Sequence, residues 1–271
     1  MLIDFHVHVG TSLQWKDWIL NWFEKFQQDN IRDLMDRTST PEGLLNLKKE
    51  AGLDYLVILA EIDFAGTVPN EFVAELAKKV PGALAFANIN PTMEEDPAGT
   101  LEYLVRDLGC RGLKLLPTYH HFYLNDPKIY PIYAKAQELD IPVLIHTGSS
   151  TFPASRMKYG QPIFLDDVAL DFPQLKIVMA HSGRGCWYQE AFFLAKHHAN
   201  IYMEVAGLPP KNLLKYFPDL EKIYQKVIFG SDWPSSKDIK EDLHGINQLP
   251  ISDLAKEAIL GDNAARVLGL I

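Results

Sequence analysis

Eight short apolar runs, separated by segments with helical periodicity, constrain the fold of this chain more than any other feature. The run interiors are almost entirely apolar, as in VLIH and VIFGSD. Strands that are buried on both faces have this composition, and they belong to parallel sheets. We place the strands at Leu2–His6, Tyr55–Ala60, Ala83–Ile89, Gly112–Leu116, Pro142–His146, Lys176–His181, Asn200–Val205 and Lys226–Ser231.

The connecting segments carry helix signals. Thr40 is a good N-cap, and Pro41 follows it at the first helical position. Apolar residues spaced three and four apart predict further helices at 72–79, 130–139, 191–198 and 254–268. Eight strands alternating with helices favour a closed (β/α)₈ TIM barrel, an α/β fold. A doubly wound open sheet is the alternative, but no G-x-G-x-x-G motif follows the first strand.

The chain has 271 residues and no interdomain linker, so we predict one domain over residues 1–271. Residues 9–40 stand apart, because they carry five aromatic residues at roughly helical spacing after the first strand. This segment is interpreted as a helical insertion packed on the barrel, as a lid over the barrel mouth, or as both. The five aromatic residues are Trp15, Trp18, Trp22, Phe23 and Phe26.

Charge and cysteine content exclude several classes of protein. The formal net charge of −9 argues against a nucleic-acid partner, which requires clustered Lys and Arg. Cys110 and Cys186 are the only cysteines, too few for a disulfide framework, so we expect a reducing compartment. No signal peptide and no apolar run of membrane-spanning length is visible. We therefore predict a cytoplasmic protein without a membrane partner.

Five imidazole or carboxylate groups lie at the ends of four predicted strands. His6 and His8 are two residues apart, so both side chains point to the same side of the first strand. His146, His181 and Asp232 each follow a buried apolar run. In a barrel the carboxyl ends of the strands converge on one mouth, where catalytic groups lie. Burying these groups together is costly without a metal ion, for which imidazole and carboxylate are good ligands.

The motifs resemble the amidohydrolase superfamily, in the branch that also contains aminocarboxymuconate-semialdehyde decarboxylase and related decarboxylases. The similar pieces occur in the family's order along nearly the whole chain. They are D-F-H-V-H at 4–8, G-L-K-L-L-P at 112–117, P-V-L-I-H-T-G at 142–148, M-A-H-S-G at 179–183, F-G-S-D-W-P at 229–234 and G-D-N-A-A-R-V-L-G-L at 261–270.

The resemblance implies that His6, His8, His146 and Asp232 hold one divalent metal ion. Asp232 would also take a proton from bound water, and His181 would polarise the substrate or shuttle a proton. Zn²⁺ is the preferred ion, with Mn²⁺ and Fe²⁺ as alternatives. Lys114 is interpreted as lining the site; carbamylation to bridge two metals, or a structural role, are the other readings. Leu116 occupies a position at which many relatives carry His, so one polar contact from which the substrate could be inferred is missing.

Further residues near the strand ends are candidates for substrate contact. Arg184 and Arg156 could clamp a carboxylate bidentately. Glu61 follows the second strand and is either a substrate contact or a solvated loop residue. The remaining candidates are Trp233, which directly follows Asp232, Glu204 after the seventh strand, and His120 in the loop after the fourth.

The function expected from these residues is that of a metal-dependent hydrolase, which acts on a small, cyclic or carboxylated molecule through metal-activated water. The alternative is a lyase, a non-oxidative decarboxylase of an aromatic or muconate-like acid that uses the same site. A catalytically inactive metal-binding protein is a remote third hypothesis. The expected partner is a small-molecule substrate, and a homodimer is left open.

Overall fold

The computed structural model describes residues 1–26 and 30–271, which form an eight-stranded parallel barrel. Each strand pairs with the next in chain order, so the predicted (β/α)₈ fold is confirmed. The predicted boundaries differ from the observed ones by a few residues. The strands are β1 (Ile3–His8), β2 (Tyr55–Leu59), β3 (Ala83–Asn88), β4 (Gly112–Leu115), β5 (Val143–Gly148), β6 (Ile177–Arg184), β7 (Ile201–Glu204) and β8 (Val227–Ile228).

The barrel closes between β1 and the segment that follows β8. The backbone N–H of Phe5 donates to the carbonyl of Phe229 at 3.1 Å, and that of His8 donates to Trp233 at 2.8 Å. In the opposite direction, the N–H of Asp232 donates to the carbonyl of His6 at 2.9 Å. This seam places the first and the last of the predicted ligand segments side by side.

A smaller apolar cluster fills the barrel interior and includes Phe5, Phe86 and Leu144. The rings of Phe5 and Phe86 meet edge to face, with centroids 5.4 Å apart. The pairing register of β1 shifts between Asp4 and Val7. Such an irregularity redirects side chains along a strand, which allows Phe5 to join the interior while His6 and His8 both reach the cavity above it.

Helices surround the barrel, and a larger apolar cluster fills the space between the two layers. Thr40 caps its helix as predicted, since its side chain accepts from the N–H of Gly43. No helix in the described ranges is long and apolar enough to cross a membrane. The helices are α1 (Asp17–Phe26), α2 (Ile31–Thr38), α3 (Pro41–Ala51), α4 (Asn70–Lys79), α5 (Pro97–Arg106), α6 (Pro117–His120), α7 (Tyr130–Glu138), α8 (Leu165–Asp171), α9 (Tyr188–His197), α10 (Leu213–Tyr216), α11 (Ile239–Asn247), α12 (Asp253–Glu257) and α13 (Asn263–Val267), with one π-helical turn at Ala258–Asp262.

The segment 9–40 contributes α1 and α2 at the barrel mouth. Arg32 on α2 donates to Asp17 at 3.2 Å and to Asn21 at 3.0 Å, and so fastens α1 to α2. Trp15, Trp22 and Phe23 line the cavity at the mouth. Residues 27–29 of the predicted lid, and the side chain of Phe26, lie outside the described part of the chain.

Candidate metal centre

A cavity of about 880 Å³ opens at the carboxyl ends of the strands. This is the end of a TIM barrel at which catalytic residues are found, and the volume suits a small organic ligand. The structure brings all five predicted metal-site residues to its wall: His6, His8, His146, His181 and Asp232.

Asp232 is the centre of this cluster. Its Oδ1 lies 3.4 Å from Nε2 of His6 and 3.2 Å from Nε2 of His8. His6, His181 and Asp232 each offer one candidate ligand atom, and these three atoms lie within 4.8 Å of one another. The ring of His146 packs against that of His181, with centroids 4.8 Å apart. The compact three-residue group thus includes His181, to which the sequence assigned a catalytic and not a ligating role.

The backbone at these strand ends adopts an uncommon conformation. His181, Ser182 and Asp232 have φ values of 62°, 46° and 61°, in the left-handed region that residues other than glycine rarely occupy. Strained backbone of this kind is found preferentially at functional sites, where the surrounding structure holds it in place. The turns aim His181 and Asp232 back over the barrel mouth, toward β1.

Burial keeps three of the imidazoles neutral. The pKa values of His6, His146 and His181 are all held well below the usual range, first by burial and then by nearby cations. For His6 the cation is Lys114, and for the other two it is chiefly Arg184. Neutral imidazoles are the form that binds a metal ion.

His8 differs because two carboxylates face it. Its Nδ1 lies 2.8 Å from Oε2 of Glu61, and its Nε2 contacts Asp232. Burial alone would lower the pKa of His8, but Glu61 and Asp232 together raise it to about 9. Glu61 lines the cavity and is nearly fully buried, so it is not the solvated loop carboxylate that was its alternative reading.

Lys114 lies on the cavity floor and is 1% exposed. Its Nζ is 3.3 Å from Nε2 of His6. Burial lowers the pKa of Lys114 to about 8, with the charges of Glu204 and Asp232 opposing the shift. The side chain of Lys114 therefore contacts the predicted metal-site residues from the cavity floor, and its contact with a substrate stays a prediction.

The donors fit a divalent cation. Nε2 of His146 is buried and has no hydrogen-bond partner within residues 1–26 and 30–271. A buried ring nitrogen without a partner is unfavourable unless a ligand satisfies it. The neutral imidazoles and the ionised carboxylate beside it form the N/O donor set typical of zinc and related ions.

Arg184 lies next to Asp232 at the cavity wall. Its Nη1 is 3.7 Å from Oδ2 of Asp232, and its guanidinium approaches the carbonyl of Ser149. Gly207 makes this arrangement possible, since a Cβ there would lie 2.7 Å from Oδ2 of Asp232 and 2.8 Å from Nη1 of Arg184. The side chain of Arg184 remains 26% exposed, so it can reach a ligand in the cavity.

Aromatic residues form the opposite wall. Trp15 lies edge-on to His8, with ring centroids 6.1 Å apart, and Trp22 meets Phe152 at 5.5 Å. The hydroxyl of Tyr119 is 2.9 Å from Oγ of Ser150, and both residues line the cavity. The cavity therefore has polar residues on its floor and mainly aromatic residues on the opposite wall.

Four predicted substrate contacts are not part of the cavity wall formed by the described residues. Glu204 is fully buried behind His6 and His181, and Trp233 packs in the apolar core. His120 is buried and lies 2.9 Å from the carbonyl of Ile62 through Nε2. Arg156 is exposed to solvent. Substrate contact by these four residues stays a prediction, which their positions outside the cavity wall do not support.

Tyr119 is one of several cavity residues that the sequence interpretation missed. The loop after β4 was read as presenting His120, but residues 117–120 form the short helix α6. Successive residues on a helix point about 100° apart, so Tyr119 faces the cavity and His120 faces away from it. The Pro117 that begins this helix was the available signal.

Comparison with known proteins places these motifs in a family. The profile described as amidohydrolase matches residues 3–270, which is nearly the whole chain.

Individual relatives support the same placement. A 2-keto-4-carboxy-3-hexenedioate hydratase from Sphingobium sp. (strain NBRC 103272 / SYK-6) is 25% identical, over 90% of this chain and 85% of the relative. An uncharacterised TIM-barrel protein from Bordetella bronchiseptica matches with a TM-score of 0.81 and 25% identity, covering 99% of this chain and 98% of the other. A 5-carboxyvanillate decarboxylase from Novosphingobium aromaticivorans, solved with bound manganese, has a similar fold, with a TM-score of 0.73 and 13% identity over 99% and 97% of the chains.

Proposed function

This chain belongs to the amidohydrolase family, and from that membership and the geometry of the site we propose that it is a metal-dependent hydrolase of a small carboxylated substrate. The observation that carries the proposal is the convergence of imidazoles around Asp232, with the Nε2 of His146 lacking a hydrogen-bond partner among the described residues. His6, His8, His146 and Asp232 would hold the ion, with His181 beside them, and His8 would release its proton when the ion binds.

A divalent ion in this site would supply Lewis acidity, which lowers the pKa of a bound water toward neutrality. Asp232 lies at the centre of the cluster and accepts the proton of the attacking water. Burial alone would raise the pKa of Asp232, but the hydrogen bond with His8 and the charges of His8 and Arg184 hold that pKa well below its usual range. The carboxylate is therefore ionised at neutral pH, which is the form that can take up a proton.

After Asp232, His181 is the second residue to which we assign a role in proton transfer. Its Nδ1 donates to the carbonyl of Ala206 at 2.8 Å, which leaves Nε2 as the acceptor that faces the cavity. An acceptor nitrogen cannot donate to a carbonyl oxygen, so of the two expected roles this tautomer favours the proton relay: Nε2 would take up a proton and pass it to the leaving group. The aromatic wall of Trp15, Trp22 and Phe152 limits the access of bulk water, which strengthens these electrostatic contacts.

Arg184 is proposed to bind a carboxylate of the substrate. We expect Arg184→Met to lower kcat/KM for carboxylated substrates by about 10- to 200-fold, because a charge-assisted bidentate hydrogen bond contributes about 1.5–3 kcal/mol. Steady-state kinetics with a carboxylated substrate and its neutral amide or ester analogue would measure the effect. The matched control is Arg156→Met, which removes an exposed arginine outside the cavity and leaves kcat/KM unchanged. An equal loss for the neutral analogue would contradict carboxylate binding by Arg184.

Decarboxylation is the second candidate function. The observation that favours it is the position of Arg184, whose guanidinium is 3.7 Å from Asp232 and would hold a carboxylate against the metal-site cluster. Water chemistry is preferred because the curated relative that is 25% identical is named a hydratase, an enzyme that adds water. Hydration and hydrolysis both need an activated water and a proton acceptor, which Asp232 provides.

A product assay separates the two functions. Metal-replete protein is incubated with carboxylated lactones and amides, with unsaturated carboxylic acids, and with aromatic acids, while ring opening, water addition and CO₂ release are followed. We expect water to be incorporated from H₂¹⁸O, and incorporation by the Asp232→Asn variant to be slower by about 10²- to 10⁴-fold. Release of CO₂ from aromatic acids without turnover of lactones, amides or unsaturated acids would overturn the hydrolase proposal in favour of the decarboxylase.

The ion that we propose is Zn²⁺, because three or four imidazoles and one carboxylate suit it. Elemental analysis of protein purified without added metal tests this, and Mn²⁺ or Fe²⁺ at one equivalent would replace zinc in the proposal. We propose further that the protein works in the cytoplasm on a small molecule, without nucleic acid. Both described cysteines are free, in keeping with a reducing compartment.

A further inference from the structure

Glu204, at the end of β7, is completely buried under the metal-site cluster. Its Oε1 lies 3.0 Å from Nδ1 of His6. Its Oε2 accepts a hydrogen bond of 3.1 Å from the backbone N–H of His181. One carboxylate thus contacts a predicted metal ligand on β1 and the backbone of the proton-carrying histidine on β6.

The surroundings of Glu204 are shaped around this carboxylate. Gly230 provides the space, because a Cβ at that position would lie 2.1 Å from Oε1 of Glu204. The hydroxyl of Ser182 donates to the backbone carbonyl of Glu204 at 2.9 Å and ties β6 to β7 at the same level. The carboxylate is therefore held by groups from the ends of β1 and β6, in space that Gly230 leaves open.

We propose that Glu204 is a positioning residue that sets the donor geometry of the metal centre, a role that rests on the metal site proposed above. By accepting the proton of Nδ1, it fixes His6 in the tautomer whose Nε2 lone pair points toward Asp232 and the cavity. By accepting the N–H of His181, it also stabilises the left-handed backbone that turns this side chain over the mouth. Strand β7 supplies no metal ligand, yet it controls the orientation of two groups that act at the metal.

The effect on metal binding follows from the tautomer. A histidine ligand whose second nitrogen donates to a carboxylate is more basic and rotationally fixed, and loss of that partner typically weakens metal affinity by about 10- to 100-fold. Glu204→Gln retains the shape of the side chain but offers only one acceptor oxygen. It therefore satisfies either Nδ1 of His6 or the N–H of His181, but not both.

The test compares the affinity of Glu204→Gln and the wild type for Zn²⁺ and Mn²⁺, by competition with a chromophoric chelator, together with the thermal unfolding midpoint of each metal-free protein. We expect the affinity to fall by about 10- to 100-fold, while the metal-free midpoint stays close to that of the wild type. The control is Asp166→Asn, which removes a carboxylate 2.7 Å from Nε2 of His198, away from the cavity, and leaves the affinity unchanged. A merely structural role for Glu204 would instead lower the metal-free midpoint and spare the affinity of the folded protein.

The outcomes separate this inference from the proposed function. Failure of the wild type to bind either ion would overturn the metal site itself. Equal affinities of the wild type and Glu204→Gln would overturn the role of Glu204 alone. If the variant does not fold, ¹⁵N NMR of the metal-free wild type decides the matter. A His6 signal with the proton on Nδ1, assigned by its loss in His6→Gln, supports the role, and a proton on Nε2 overturns it.

Discussion

The double variant His6→Ala, His8→Ala is expected to lose its metal. Both side chains leave the same strand on the same side, their rings are 5.1 Å apart, and both approach Oδ1 of Asp232. Removing both takes away two of the proposed ligands, and changing only the partner of a ligand already weakens binding by about 10- to 100-fold. We therefore expect affinity to fall by more than about 100-fold, and dialysed protein to contain almost no metal by elemental analysis.

The matched control removes two other histidines. His197 at the end of α9 and His244 in α11 are exposed and do not line the cavity. The variant His197→Ala, His244→Ala should keep the full metal content of the wild type. If the His6 and His8 variant also retained one equivalent of metal after dialysis, the ligand assignment of β1 would be wrong.

Asp232→Asn is expected to have the largest effect on turnover. The amide occupies the same space but accepts no proton at neutral pH, and it no longer balances the charge of Arg184, 3.7 Å away. General base catalysis by a positioned side chain typically contributes about 10²- to 10⁴-fold, so we expect kcat to fall by that factor. Single-turnover and steady-state kinetics of metal-loaded protein, normalised to the measured metal content, separate this loss from a loss of ligation.

Glu241→Gln is the corresponding control. Glu241 lines the same cavity at its rim, on α11, and neutralising it changes the charge of the cavity by the same amount. Its kcat should remain near that of the wild type. Turnover by Asp232→Asn within a factor of about two of the wild type would refute the role of Asp232 as proton acceptor, given the much larger loss that removing a positioned base causes.

The barrel could be predicted because the apolar composition of its strands is a local property of the sequence. A strand such as VLIH is apolar on both faces, and that pattern is visible in any short window of the sequence. The Thr40 cap is equally local and was predicted correctly. The strand ends were less predictable, since β8 retains ladder pairing over only Val227–Ile228, after which the chain turns toward Asp232.

The roles of individual site residues were harder to predict. Glu204 looked like a substrate contact because it follows a strand, whereas it lies behind His6, a residue 198 positions away in the sequence. Arg156 and Arg184 carry the same side chain after neighbouring strands, yet only Arg184 faces the cavity. Their orientations depend on tertiary packing and on left-handed turns at His181 and Ser182. The alternation of side chains along a strand does not predict either of these.

The seam between β1 and the segment after β8 has a consequence for biosynthesis. His8 and Asp232, which contact each other there, are separated by 224 positions, so the first proposed ligands leave the ribosome early and the last one leaves late. A nascent chain that has exposed β1 through β7 carries imidazoles but lacks the carboxylate at their centre. An ion that needs all four proposed ligands would therefore bind only after the eighth strand has been translated.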